Sequence, residues 1–391
     1  MDAERTSKKP VWPRRVAPFR EQTQTVAVTA RDGARIDQLT GLRFFAALLV
    51  FMSHFKWDNS WNIVGEMAQQ GSIGVSFFFV LSGFLISYSY GWRLRSADIS
   101  RAKYFALRFA RLWPLHFLTG LPFAAFLIWK GWLSLPNYGV NLLFLQSWVP
   151  STDWHYAYNG PSWSLSNEMF FYTAFIGLVM LGSRQKLWLY GGLVALVASA
   201  MVLVYTYIPT LNVGGNLPLA EWMFYIFPLF RLDEFLLGMI IFDLWRTGKF
   251  RASALSYVTI PLLLAAMYFG ARFVAEPLLY HLYYTPFVAL LLVSFLDGSS
   301  LPIRFFSSRI AVLLGEASFA FYLIHKPLVD IGERARHKFG LFPSDLVFVI
   351  VMLAICIAVG LATHLLIEEP VGRFLRQRIN RMKFLNRARC P

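Results

Sequence analysis

Apolar residues in this chain fall into long runs, and polar residues gather in short patches between them. About ten runs approach the roughly 20 residues that a helix needs to cross a bilayer. They lie at 38–56, 72–91, 109–129, 163–181, 187–208, 222–243, 254–271, 278–296, 309–330 and 345–367. The pattern predicts an all-α, polytopic integral membrane protein of about ten transmembrane helices. Only Gly182 to Lys186 separate the fourth run from the fifth, which predicts a tight helical hairpin. The longest connection, 130–161, is rich in Trp, Tyr, Asn and Pro and poor in charge. It reads as an outer loop that either lines a site for a neutral polar ligand such as a sugar or caps the helices with interfacial aromatics.

Charge turns this pattern into a topology. Charged residues make up 15% of the chain and hydrophobic ones 57%, and the net charge is +15. A soluble domain carries about 25% charged residues. The basic residues flank the apolar runs, so they point to topology and anionic lipid and exclude a nucleic-acid reading. With the N-terminus in the cytoplasm, about 28 of the 37 basic residues fall inside and about 6 outside, as the positive-inside rule expects. Both termini are then cytoplasmic. Arg334, Arg336 and Lys338 violate the rule, in what reads as the last outer loop, where they would attract an anionic acceptor. Residues 1–36 are basic and contain no apolar stretch, so they read as a disordered cytoplasmic tail without a signal peptide. Residues 37–378 form a single membrane domain, and 379–391 a second basic tail. Of the two cysteines, Cys356 lies inside a run and Cys390 near the end, so neither a disulfide framework nor a metal site is expected.

Charges within spans are costly, and each needs a partner or a task. In GLRFFAALLVFMSHF, Arg43 and His54 are eleven residues apart. On one helix they would differ by ~20° in direction and stand ~16 Å apart. Arginine can hold an anionic donor such as a phosphate, and histidine can take a proton from a hydroxyl. The bland alternative is a snorkelling arginine and an interfacial histidine. Arg108 and Arg111, one turn apart, stand at the mouth of the third run, as phosphate ligands or as ordinary anchors. Glu168 opens the fourth run within NGPSWSLSNEMFFY, at a depth expected to match His54. There it would orient the ring. Ser162, Ser164 and Ser166 lie in the same stretch without a nucleophile elbow, which favours capping or hydrogen-bonding roles. Arg231, Asp233 and Glu234 occupy the middle of the sixth run. The i, i+3 pair Arg231–Glu234 reads as mutual neutralisation or as a channel lining. His325 lies in the outer half of the ninth run, before Pro327, which should interrupt the helix. Glu368 and Glu369 before Pro370 read as structural.

These motifs, in this order, make the chain from about Asp37 to Arg378 resemble the acyltransferase-3 family of integral membrane acyltransferases. The resemblance rests on Arg43 with ten residues before His54, on GVSFFFVLSGFLIS, and on Arg108-x-x-Arg111 followed by Trp113-Pro114. Trp163-Ser164-Leu165 with Glu168, FRLDEFLLG, SFAFYLIHKPL and the closing EEP complete it. It implies transfer of an acyl group, commonly acetyl, from cytosolic acyl-coenzyme A to hydroxyls of an extracytoplasmic glycan, glycolipid or other acceptor. It further implies that His54 and Arg43 match the family's essential first-span pair, and that Arg108 and Arg111 match its third-span arginines. His54 is expected as general base with Glu168 orienting it, an acyl-histidine intermediate being the alternative. Arg43, Arg108 and Arg111 are expected to bind acetyl-CoA. Trp163, Ser164, His325, Arg231 and Glu234 are expected to bind substrate. The bacterial inner membrane is the expected location. No SGNH-type domain is read in this chain. The competing class is a proton-coupled transporter of a small polar solute, which ten spans with intramembrane Arg, His, Asp and Glu would also suit.

Overall fold

Each of the apolar runs carries helix, but the helices differ in length and continuity. The computed structural model describes residues 36–57, 62–248, 253–342, 344–382 and 385, so most of both tails lies outside the described residues. The principal helices are α1 (Asp37–Met52), α2 (Ser72–Arg95), α3 (Arg101–Trp129), α4 (Trp163–Leu178), α5 (Ser183–Tyr207) and α6 (Leu232–Trp245). They continue with α7 (Ser256–Phe273), α8 (Thr285–Ser294), α9 (Arg309–Glu316), α10 (Ser318–Phe339), α11 (Asp345–Thr363) and α12 (Glu369–Arg381).

Among the described residues, 5 helical stretches are long and apolar enough to cross a membrane: Ile63–Arg95, Arg101–Trp129, Ser183–Tyr207, Ser256–Phe273 and Asp345–Arg381. The count rises to 6 if α9 and α10, bent by 63° at a break, are one span. The runs at 38–56 and 163–181 give helices of only 16 residues, and those at 222–243 and 278–296 give 14 and 10. Two of these short helices, α4 and α6, are buried along most of their length. Inside the bundle, protein groups satisfy the backbone beyond a helix end, so a short helix is tolerated there.

α2 is the central post, with 72% of its apolar window buried, against 17% for the peripheral α5. It packs most extensively on α6. A Cβ on Gly83 would overlap the Phe235 carbonyl, and one on Gly238 would overlap the Val80 carbonyl, so each helix presents a glycine to the other's backbone. Small residues at such crossings bring helices into direct backbone contact. α3 starts on a Ser100 cap, whose hydroxyl accepts from the Lys103 amide at 3.1 Å, and carries Pro114 and Pro122 internally.

Three breaks depart from the sequence pattern. The sixth run is interrupted at Phe227 and Pro228, where an extended residue separates a π-turn from the start of α6. The last run has a π-turn at His364–Glu368 between α11 and α12. The ninth run bends between Glu316 and Ser318, and not at Pro327, which α10 passes on its way to Phe339. Gly340, with φ of 63°, then ends α10 in the left-handed conformation that glycine adopts without strain. Arg334 to Lys338 are therefore helical rather than a loop, and Arg336 pairs with Asp345 at 2.6 Å. The 130–161 connection is likewise not a plain loop. It holds short helices at Leu135–Leu142, Gln146–Trp148 and Thr152–His155.

Candidate active site

Three cavities follow one another through the bundle. The central one, about 140 Å³, is enclosed by α1, α2, α3, α4 and α10. The second, about 480 Å³, lies between α1, α3, α12 and the π-turn. Arg43, Arg108 and Arg111 line both, so they form the boundary between them. The third, also about 480 Å³, contains His54. It shares Val75 and Tyr322 with the central cavity.

The arginines come from two helices and are incompletely satisfied. Arg108 and Arg111 are one turn apart on α3, so both side chains reach the same side. Arg108 donates to the Tyr90 hydroxyl at 2.8 Å and lies over that ring, while its Nε has no partner. Arg111 pairs with the buried Glu368, whose other oxygen takes the His364 ring at 3.0 Å. Arg43 lies within electrostatic reach of Glu168 and Glu368 and makes no hydrogen bond among the described residues. A guanidinium offers five donors in a planar fork suited to phosphate. Several of those donors are open here.

Glu168 stands with the arginines. It lines the central cavity and accepts from the Tyr172 hydroxyl at 2.7 Å. The expected contact with His54 is not formed, since His54 lines the other cavity. The reason is the entry to α4. Pro161, Ser162, Trp163 and Ser164 are buried, so the helix begins inside the protein and its second turn lies deep. α1 in turn stops at Met52, and His54 follows in a turn, donating its amide to the Phe51 carbonyl at 3.2 Å. The single-helix angle between Arg43 and His54 therefore does not apply, although both line the same succession of cavities.

The neighbour of His54 is His325, with ring centroids 5.0 Å apart. His325 is fully buried, stacks on Phe321, and neither of its ring nitrogens makes a hydrogen bond. Lys326 and Asp330, paired with one another one turn apart on α10, line the His54 cavity together with Trp163, Tyr156 and Tyr158. Ser164 lines the central cavity and bonds the Tyr322 hydroxyl at 2.9 Å. Ser166 donates to the Phe144 carbonyl at 2.7 Å.

Arg231 and Glu234 line none of these three cavities. Both are fully buried and paired at 2.8 Å. Arg231 also donates to the Tyr280 carbonyl at 2.9 Å, to the Tyr225 carbonyl at 3.4 Å and to Ser76 at 3.1 Å. Tyr225 lies in the turn freed by the break at Phe227. The arginine thus closes the break, and the pair expected to bind substrate is spent on protein partners away from these three cavities.

Sequence reasoning did not weigh Tyr172, Tyr322 or His364 and read Glu368 as structural, and all four line the cavities. Tyr322 stood one turn before His325 in SFAFYLIHKPL, and Glu368 in the EEP motif. Those spacings were the available signals.

The acyltransferase domain family model matches residues 36–363. The chain is 33% identical to acyltransferase MdmB of Streptomyces mycarofaciens, over 88% of this chain and 93% of that protein. It is 27% identical to the exopolysaccharide production protein ExoZ of Rhizobium meliloti, over 79% and 92%. It is 25% identical to the putative peptidoglycan O-acetyltransferase YrhL of Bacillus subtilis, over 90% of this chain and 57% of that one. No solved structure matches the chain. Motifs in family order, apolar helices and these matches agree, and the chain belongs to the acyltransferase-3 family of membrane acyltransferases.

Proposed function

We propose that the protein moves an acyl group, most simply acetyl, from cytosolic acyl-coenzyme A to a hydroxyl of an extracytoplasmic glycan or glycolipid. The observation that carries this reading is the succession of cavities, with three arginines at one junction and His54 beyond the next. In this reading the protein crosses the inner membrane ten times, its shorter helices spanning with the help of the breaks and turns around them. Both termini and the arginine-side cavity face the cytoplasm.

Arg43, Arg108 and Arg111 hold the phosphates of the donor by charge-assisted hydrogen bonds. The thioester arm reaches through the central cavity toward Tyr322. The acceptor enters beside Trp163, Tyr156 and Tyr158, aromatic surfaces suited to the apolar face of a sugar ring. His54 takes the proton of the acceptor hydroxyl as its oxygen attacks the thioester carbon. His325 packs against His54 and limits how that ring can turn. Glu168 and Tyr172 serve the donor side, where the carboxylate balances the arginine charge. The relatives named for exopolysaccharide production and peptidoglycan O-acetylation support a carbohydrate acceptor.

The test is free coenzyme A release by the purified protein in nanodiscs, supplied with acetyl-CoA and crude surface glycan. Release should need the glycan and should fall by about 10²–10⁴ in His54→Ala. Unchanged release in His54→Ala would remove the proposed base. Wild-type protein that neither binds nor turns over acetyl-CoA would remove the reading itself.

A further inference from the structure

Tyr322 lines both the central cavity and the His54 cavity. Its hydroxyl lies 2.9 Å from that of Ser164 and 3.2 Å from the Pro161 carbonyl. Ser164 is itself 3.1 Å from the same carbonyl. Ser164 lines the central cavity, while Pro161 and Trp163, which precede it in sequence, line the other. These side chains form the septum between two spaces that an acyl donor and a hydroxyl acceptor must both reach.

The hydrogen bonds of the septum can rearrange to release one donor. Two hydroxyls bring two protons, and each oxygen can also accept. If Ser164 donates to Tyr322, the tyrosine proton is free to turn toward a third oxygen, and only the bond to the Pro161 carbonyl is given up. Both side chains are almost fully buried. A hydrogen bond offered there acts in a medium of low dielectric constant, where it stabilises developing charge strongly.

We propose that Tyr322, held by Ser164, is the gate for the acyl end of the donor and supplies the hydrogen bond to the thioester oxygen. The proposal rests on the function given above and adds to it a residue that selects acyl length. The acceptor oxygen bonds to the carbonyl carbon while its proton passes to His54. The negative charge on the carbonyl oxygen is held by the Tyr322 hydroxyl. The tetrahedral adduct then expels the sulfur with its electron pair. Coenzyme A leaves as thiolate and is protonated by water, and His54 returns its proton to water in its own cavity. The tyrosine ring fills the junction, so a two-carbon acyl group passes more readily than a longer one.

Two readouts test this in the full-length protein in nanodiscs. The first is competition of acetyl-CoA and butyryl-CoA against labelled coenzyme A, which needs no acceptor. Wild type should bind acetyl-CoA about tenfold or more tighter than butyryl-CoA, since one methylene can be worth that much. Tyr322→Ala should erase this ratio and keep the affinity for coenzyme A itself, which also shows that the variant is folded. The second is release of coenzyme A with crude surface glycan. Tyr322→Phe keeps the ring, so it should keep the binding ratio and lose about a hundredfold in kcat. A flat ratio in wild type, or a ratio that survives Tyr322→Ala, overturns the gate. Wild-type kcat in Tyr322→Phe overturns the hydrogen bond. Wild type that does not bind coenzyme A at all overturns the underlying function instead.

Discussion

The arginines of this protein divide into two environments with opposite meanings. Arg231 is fully buried, and all three of its guanidinium nitrogens donate: Nε to Glu234, Nη1 to the carbonyls of Tyr225 and Tyr280, and Nη2 to Ser76 beside its ion pair with Glu234. It also lies over the rings of Phe79 and Tyr225. Arg43, Arg108 and Arg111 are half-buried, border open space and keep donors unused. All four sit in or beside apolar runs. A charge within a membrane segment is thus not by itself a mark of function. Under the proposed function, the count of satisfied donors separates an arginine that completes the fold from one that would take a ligand.

Removing a guanidinium should break this comparison most visibly at Arg231. Arg231→Ala would leave Glu234 as a buried carboxylate without its cation and two carbonyls without donors. Breaking a buried pair by removing one partner costs about 3–5 kcal/mol. The expected outcome is a large fall in thermal stability and in yield after extraction, read by fluorescence-detected size exclusion over a temperature series. If Arg231→Ala remains as stable as wild type and loses turnover only, the residue belongs with the ligand-binding set and the division fails.

The opposite behaviour is expected at the cavity junction. Arg108→Ala should extract and melt close to wild type, and Arg111→Ala should lose less stability than Arg231→Ala, because Arg111 is partly exposed and His364 still bonds Glu368. Both variants should weaken acetyl-CoA binding by about ten- to a hundredfold each, since hydrogen bonds to charged groups are worth about 1.5–3 kcal/mol. Titration of the purified variants with labelled coenzyme A measures this. A normal affinity in both would remove the arginines from donor binding. Raised salt should weaken wild-type binding more than that of either variant, because part of the attraction is screened.

The same contrast explains what was legible from the sequence. Long apolar runs announced helices, and the spacing of Arg108 and Arg111 announced a shared face, because both are properties of a few consecutive residues. Arg43, His54, Trp163 and Ser164 were recognisable as motif residues, and they do line the cavities. The partners were not recognisable. Glu168 goes with Tyr172 and not with His54, because residues 160–162 enter the protein before α4 starts. His325 meets His54 across 270 intervening residues, a contact no local pattern encodes. The breaks between α9 and α10 and at His364–Glu368 carry no strong local signal either, whereas the break at Phe227 is marked by Pro228. Pro327, the strongest helix-breaking residue of its segment, is accommodated without ending α10. Where tertiary contacts satisfy a freed backbone group, propensity loses its authority.

Glu368 gives the finest test of the division, because it ties Arg111, which the proposed function assigns to the donor, to the fold. Its carboxylate is almost wholly buried, yet Arg111 at its other side is 37% exposed and Arg376 lines the same cavity. A donor phosphate arriving at Arg111 must compete with this carboxylate. Glu368→Gln keeps the shape and the bond to His364 while removing the charge. If the ion pair restrains Arg111, coenzyme A should bind about two- to fivefold tighter, the size expected of a partly exposed pair. If Glu368 instead holds Arg111 in its productive orientation, the variant should bind coenzyme A more weakly. The sign of a small change in affinity therefore decides between restraint and positioning. Measuring it in Arg111→Ala as well, where Glu368→Gln should have almost no effect, shows whether the carboxylate acts through that arginine alone.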